Sequence, residues 1–528
     1  MAVRRYALLS VYDKTGVVDL ARRLDSLGFT LLSTGGTAEA LRAAGLPVTG
    51  VSEHTGHPEI LGGRVKTLHP RIHGGILADL SQEPHRADLA RASIAPIDLV
   101  VVNLYPFAQV ASRPSAGLEE LIEMIDIGGP SMLRSAAKNS ARVGVVVDPS
   151  DYPVIVEELQ EAGALRDATR RRLALKAFTH TAAYDGAIRD ELTRRFSAED
   201  SPAAASGEAA PEQFPARVDL KLRRLMTLRY GENPHQAAAL YGDEGERRGT
   251  IAGARQLQGK ELSFNNILDL DAAWRLALEF EAPAAVIVKH NNPCGVAIGE
   301  TIEEAFAAAR RTDPLSAFGG IVASNREIDE AAAAAITSLF LECLIAPGYG
   351  RRALAALAAK SKLRVMELPI DPATAFAGYD LRRVTGGLLM QNWDRARTAL
   401  QDAQVATRRP PTADELQALD FTWRVAKHVK SNAIVLGRRG RTVGIGAGQM
   451  SRVDSVRLAV SKAQEPTAGT VLASDAFFPF RDGIDAAAGA GVTAVVQPGG
   501  SSRDSEVIAA ADERGMAMIM TGTRHFRH

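Results

Sequence analysis

The chain has 528 residues, 46% of them apolar and 23% charged, with 62 basic side chains set against 62 acidic ones. That length is enough to bury more than one core and predicts two or three domains. The even charge balance leaves no footprint for a nucleic-acid or membrane partner, so an anionic ligand has to be held locally. Cys294 and Cys343, the only cysteines, exclude a disulfide framework and a four-thiolate metal site. No apolar run approaches the roughly 18 residues that cross a bilayer, and a cytoplasmic enzyme is expected.

In chain order, residues 6–11 read as a strand. Asp13 and Lys14 cut that apolar run too short for a signal peptide. A helix is expected over 16–27, a strand over 29–32, a helix over 38–44, and buried strands over 99–104 and 143–147. The alternation predicts βαβ units and a parallel sheet in a first domain, 1–196. Residues 197–217, with seven Ala and three Pro, have little to bury and read as a linker. The second domain, 218–528, is again α/β, with strands near 285–288, 434–436 and 493–496 and helices near 303–310 and 352–360. No repeat of 20 to 50 residues is visible.

Ser33-Thr34-Gly35-Gly36-Thr37 stands where a strand gives way to a helix, so hydroxyls and backbone N–H groups converge on a positive helix end, as a phosphate requires. Taken alone, the two glycines serve equally well as a tight turn. Ser10 to Gly16, with Lys14 and Thr15, repeats the arrangement after the first strand. Both loops belong to the carboxyl edge of a parallel sheet. Gly62-Gly63-Arg64-Val65-Lys66-Thr67 adds two cations and a hydroxyl behind a flexible pair. His54, His57, His69 and His73 invite a zinc reading, but Pro58 and Pro70 interrupt the helical face it needs, and no metal is expected.

These segments, together with Asn103-Leu104-Tyr105-Pro106, Asp126-Ile127-Gly128-Gly129 and Ala137-Lys138-Asn139, closely resemble the inosine monophosphate (IMP) cyclohydrolase half of the bifunctional purine biosynthesis family. The resemblance implies a domain similar in fold to methylglyoxal synthase. It would close the formamido imidazole carboxamide ribotide (FAICAR) to IMP by dehydration. Lys66, Tyr105, Asp126 and Lys138 match the positions that the family places around the reaction. Ser10, Lys14, Thr15, Ser33, Thr34, Gly35, Gly36, Thr37, Arg64, Thr67, Asn103 and Gly128 match its substrate contacts.

In the second domain, Val288-Lys289-His290-Asn291-Asn292-Pro293-Cys294-Gly295 puts an ammonium and a neutral-pH imidazole side by side. Adjacent strand residues face opposite ways, so the two share a substrate only if the strand stops there, and Pro293 and Gly295 are expected to stop it. A structural Lys-His pair explains the residues as well. Position 297 is Ala and no His-x-Glu precedes, which argues against zinc deaminase chemistry.

This region resembles the formyltransferase half of the same family, through Arg229-Tyr230-Gly231-Glu232-Asn233-Pro234-His235, Phe318-Gly319-Gly320, Lys430-Ser431-Asn432, Ser474 to Asp482 and Arg524 to His528. The resemblance implies two cytidine-deaminase-like α/β subdomains. They would transfer a formyl group from 10-formyltetrahydrofolate to the aminoimidazole carboxamide ribotide (AICAR), in a homodimer that shares its sites. His290 would be the base, Lys289 the donor and Asn432 an orienting partner. Arg229 and Arg524 would clamp the phosphate, and Tyr230, Gly319, Glu342, Arg452, Phe477, Asp482 and His528 would line the nucleotide and folate pocket. A chain with one decayed half and a nucleotide-binding regulator without turnover are the alternatives.

Overall fold

The computed structural model describes residues 4–113, 115–199, 214, 217–243, 248–371 and 378–528. Two compact units divide between Ala216 and Arg217. The helix Asp167–Glu199 runs into the stretch expected as linker, and most of the rest of that stretch lies outside the described residues.

The first unit is built on five parallel strands, in the order Val48–Gly50, Phe29–Ser33, Arg5–Val11, Leu99–Asn103 and Gly144–Val146. Leu99–Val102 are all buried, as a strand covered on both faces demands. The helices Val17–Ser26, Gly128–Lys138 and Tyr152–Ala162 supply Leu24, Leu133 and Ile155 to the same core. The second helix begins at Gly35, earlier than the sequence pattern placed it. Gly35 and Gly36 are therefore its first turn, whose N–H groups have no partner within the helix.

The second unit is organised on a sheet of twelve strands made of two like halves. Outward from the centre, one half runs Asn292–Ile298, Ala284–Lys289, Ile321–Ser324, Cys343–Ala346, Arg364–Glu367 and Arg255–Gln258. The other runs Arg441–Gly446, Ile434–Arg438, Val471–Ser474, Ala494–Gln497, Ala517–Met520 and Gln404–Val405. Each is an antiparallel hairpin, then three mutually parallel strands, then an antiparallel edge. Two antiparallel hairpin strands join the halves where Ala297 pairs with Arg441.

The halves repeat in detail. Ser263 and Thr412, 149 positions apart, cap 14-residue helices (Phe264–Ala277 and Ala413–Ala426) through equivalent capping boxes, and those helices bury Trp274 and Trp423. Asn325 Oδ1 accepts the Ala284 N–H at 2.8 Å, and Asp475 Oδ1 accepts the Ala433 N–H at 3.1 Å. A search at 20 to 50 residues misses this duplication because its period is about three times longer.

Candidate functional sites

At the carboxyl edge of the first sheet a cleft of about 580 Å³, within the range that holds small-molecule ligands, is lined by Ser10, Lys14, Thr34, Gly35, Gly36, Thr37, Arg64, Lys66, Thr67, Asn103, Tyr105, Asp126 and Gly128. The loops converge there because every strand of a parallel sheet ends on the same side. A Cβ added at Gly35 or Gly63 would stand 3.3 or 3.5 Å from Lys66 Nζ, and one at Gly36 3.7 Å from Lys14 Nζ. The absent side chains thus leave room for two ammonium groups over a helix N-terminus. Thr34 Oγ1 is buried there with no hydrogen-bond partner among the described residues. An oxyanion of a phosphate would satisfy all of these donors together.

Other expected contacts hold the loops themselves. Asn103 Oδ1 accepts the N–H groups of Tyr12 (2.6 Å) and Asp13 (2.9 Å), and Thr37 Oγ1 closes on both backbone groups of Val11. Ser33 Oγ donates to the Leu9 carbonyl at 2.7 Å and Thr15 Oγ1 to Asp13, and neither lines the cleft. Nor does Lys138, which is exposed at the far end of the helix that Gly128 begins. Eleven residues of helix put roughly 15 Å between those ends.

The opposite wall carries a carboxylate and a phenol. Burial raises the pKa of Asp126, although the N–H groups of Gly129 and Gly128 and the Lys66 ammonium favour its carboxylate. Gly129 N donates to Asp126 Oδ1 at 2.8 Å, and a Cβ at Gly129 would overlap that carboxylate. Burial, then Asp126 and Glu123, raises the Tyr105 phenol, which keeps its proton at neutral pH and has it to donate. Tyr12 meets Tyr105 edge to face with centroids 5.9 Å apart.

Three contributors escaped the sequence reading. Glu123, paired with Arg64, sits in a Leu-Glu-Glu-Leu-Ile-Glu run that reads as a solvated helix face. Tyr12 lines the cleft beside Tyr105. The Tyr184 hydroxyl accepts the Asp126 N–H at 2.8 Å from 58 residues away, and no local pattern announces it. Pro70, expected to spoil a helix, opens one, Pro70–Leu77, with His69 as its cap.

In the second unit, Lys289 and His290 do stand at a strand end, but Pro293 and Gly295 do not make it. The strand Ala284–Lys289 turns back through His290 and Asn291, and Pro293 and Gly295 lie in the returning strand, paired with Val288 and Ile287. Lys289 Nζ donates to the Phe318 carbonyl at 2.7 Å, which sets it beside Gly319. The Glu342 N–H bonds the Gly320 carbonyl on the same edge, while the Glu342 carboxylate pairs with Arg364 at 2.6 Å. His290 is exposed.

Asn292 Oδ1 accepts the Lys430 N–H at 3.0 Å and so ties this tip to the segment carrying Asn432. The Asn432 amide donates to the carbonyls of Gln449 (2.8 Å) and Met450 (3.2 Å), and its Oδ1 accepts from Arg452 at 2.6 Å. The buried Arg452 is itself held by Asp475 and Ser474. Arg452, expected to line the ligand pocket, fixes which way the Asn432 amide faces. Arg229 lies over Tyr230 and Arg524 over Phe526, and within the described residues of one chain no contact joins either arginine to Lys289 or His290. Phe477 is half-buried beside Asp475, and Asp482 bonds the N–H of Gly483.

The C-terminal residues are anchored. The Ser431 N–H bonds the Arg527 carbonyl, the His525 N–H bonds the Asp475 carbonyl, and Arg382 donates to the His528 carbonyl at 2.7 Å. Arg527 also donates to His428 Nδ1 at 3.2 Å, so the neutral His428 ring carries its proton on Nε2, 3.0 Å from the buried Glu279 carboxylate. Burial lowers the His428 pKa to about 4. Burial would raise Glu279, but His428 and Lys427 hold it down at about 2. Below pH 6.5 the unfolded chain takes up a proton that folded His428 refuses until about pH 4. Between pH 4.5 and 2 the same holds for Glu279. Stability therefore falls with pH through both windows. Urea unfolding of the protein at pH 7 and pH 5 checks the first: the midpoint drops at pH 5, and equal midpoints would contradict a neutral, buried His428.

Two family models match the chain, an AICARFT/IMPCHase bienzyme over residues 136–462 and an MGS-like domain over residues 16–131. The bifunctional purine biosynthesis protein PurH of Anaeromyxobacter dehalogenans (strain 2CP-C) is 56% identical over 534 residues, covering 99% of this chain and 100% of that protein. A solved structure described as "Crystal structure of ForH" is 38% identical over 36% of this chain and 99% of that one, with a TM-score of 0.33.

Proposed function

The chain belongs to the AICARFT/IMPCHase bienzyme family, and from that premise we propose that its two units divide the last two steps of IMP synthesis between them. The second transfers a formyl group to AICAR and the first closes FAICAR to IMP. The observation that carries the reading is the cleft, where two ammonium groups and an unpartnered hydroxyl crowd a helix N-terminus opposite a buried carboxylate and a phenol. That arrangement suits a phosphorylated substrate that must lose water.

In ring closure the carboxamide nitrogen attacks the formyl carbon. Lys66 and Tyr105 donate to the oxygen as it gains charge, Asp126 orients the carboxamide, and the oxygen leaves as water with one proton from the carboxamide nitrogen and one from the formamide nitrogen, which forms the new C=N bond. In formyl transfer the AICAR amine attacks the formyl group of 10-formyltetrahydrofolate. His290 takes the amine proton, Lys289 donates to the oxyanion, and the folate nitrogen departs protonated.

No helix among the described residues is long and apolar enough to cross a membrane, and the enzyme works in the cytoplasm on small molecules. Exposed His290, with no hydrogen bond among the described residues joining it to Arg229 or Arg524, favours a homodimer in which a second copy completes the formyltransferase pocket. Sedimentation through a solution of AICAR and 10-formyltetrahydrofolate, with IMP formation followed by absorbance, tests both statements. The IMP-forming boundary moves as a dimer. No IMP sinks the activity, and IMP formed by a monomer sinks the shared site.

A further inference from the structure

The duplicated halves build the same hairpin in two ways. In the second half, Ile434–Arg438 returns as Arg441–Gly446 through Arg439 and Gly440, and Gly440 takes the left-handed position (φ +72°) without steric cost. In the first half both turn residues are left-handed and both carry side chains, His290 (φ +55°) and Asn291 (φ +61°). That is an uncommon conformation even for the residues that tolerate it best, and surrounding structure has to hold it.

Asp269, in the helix Phe264–Ala277, reaches the turn from below. Its Oδ1 accepts the Asn291 N–H at 2.6 Å and its Oδ2 the His290 N–H at 3.2 Å. The position 149 residues later, in the twin helix, is Ala418, buried and apolar. The hairpin as a fold element is therefore complete with a glycine and an alanine. Among the described residues a carboxylate takes the turn's backbone N–H groups only where the turn bears an imidazole; in the twin, Asp414 reaches only the Arg439 side chain, at 3.9 Å.

We propose that Asp269 is a positioning residue for formyl transfer, fixing the left-handed turn that presents His290 beside Lys289. The inference rests on His290 being the base. It extends to the backbone: a turn with two left-handed residues ends the strand abruptly, so that consecutive side chains can serve one reaction.

Steady-state kinetics on the full-length enzyme test it. D269A lowers the formyl-transfer kcat roughly tenfold or more with KM for AICAR within about twofold, since a displaced base spoils the reacting geometry without removing substrate contacts. D269N keeps an acceptor for one of the two N–H groups and falls between. N291G, introduced into D269A, returns most of the lost kcat because glycine adopts the left-handed turn unaided. Thermal unfolding of each variant shows whether it is folded. Wild-type kcat in D269A, or a loss that N291G leaves untouched, overturns the proposal. Full formyl transfer in H290A instead removes the base assignment beneath it, whereas an inactive H290A beside a fully active D269A defeats this inference alone.

Discussion

Replacing His290 with alanine lowers formyl transfer by roughly 10²- to 10⁴-fold, the range for removing a general base, and leaves ring closure of supplied FAICAR at its wild-type rate. The separation follows from the architecture. His290 stands on a hairpin of the twelve-stranded sheet, and the ring-closing cleft is assembled from the loops of a different sheet in a different unit. The AICAR amine is conjugated with the imidazole and is a weak nucleophile, so its proton has to leave as the carbon–nitrogen bond forms. His428, two residues before the Lys430 that bonds Asn292, is no substitute: it is buried, neutral and bonded to Glu279 and Arg527. Separate absorbance assays of the two half-reactions check this. Formyl transfer surviving in H290A, or both activities falling together, would break the two-site account.

Lys66→Ala has the complementary effect, a loss of roughly 10²- to 10³-fold in ring closure, as expected when a donor to a developing oxyanion is removed, with formyl transfer unchanged. Lys66 Nζ stands where Gly35 and Gly63 leave open space, and its charge is among the influences that favour the Asp126 carboxylate against burial. Its removal therefore takes away a donor and pushes the Asp126 pKa further up. The second effect has its own signature, because the ring-closure rate of the variant rises with pH over a range where the wild type is already level. A flat profile for K66A would mean that Lys66 and Asp126 are not coupled.

Much of the first site was legible because its parts are local. A strand, a Gly-rich loop and a helix are consecutive in sequence, and a parallel sheet delivers every such loop to one edge, so Lys14, Thr34 to Thr37 and Lys66 could be grouped before any coordinates. Lys138 was grouped with them on the strength of a motif, and the eleven-residue helix carries it away. The hairpin tip was half legible. That Lys289 and His290 share a strand end followed from the period of a strand, but the turn that ends it belongs to His290 and Asn291, whose left-handed backbone depends on an acceptor arriving from another element.

Composition, apolar periodicity and glycine placement were enough for the α/β class, the parallel first sheet and the loops that line its cleft, since each is set by residues a few positions apart. Packing alone settled the rest. Tyr184 holding the Asp126 N–H, Asp269 holding the His290 N–H, and Arg452 orienting Asn432 are meetings of groups 20 to 58 residues apart. Such a contact exists only once two elements have been folded against each other, and the sequence around either partner looks the same with or without it.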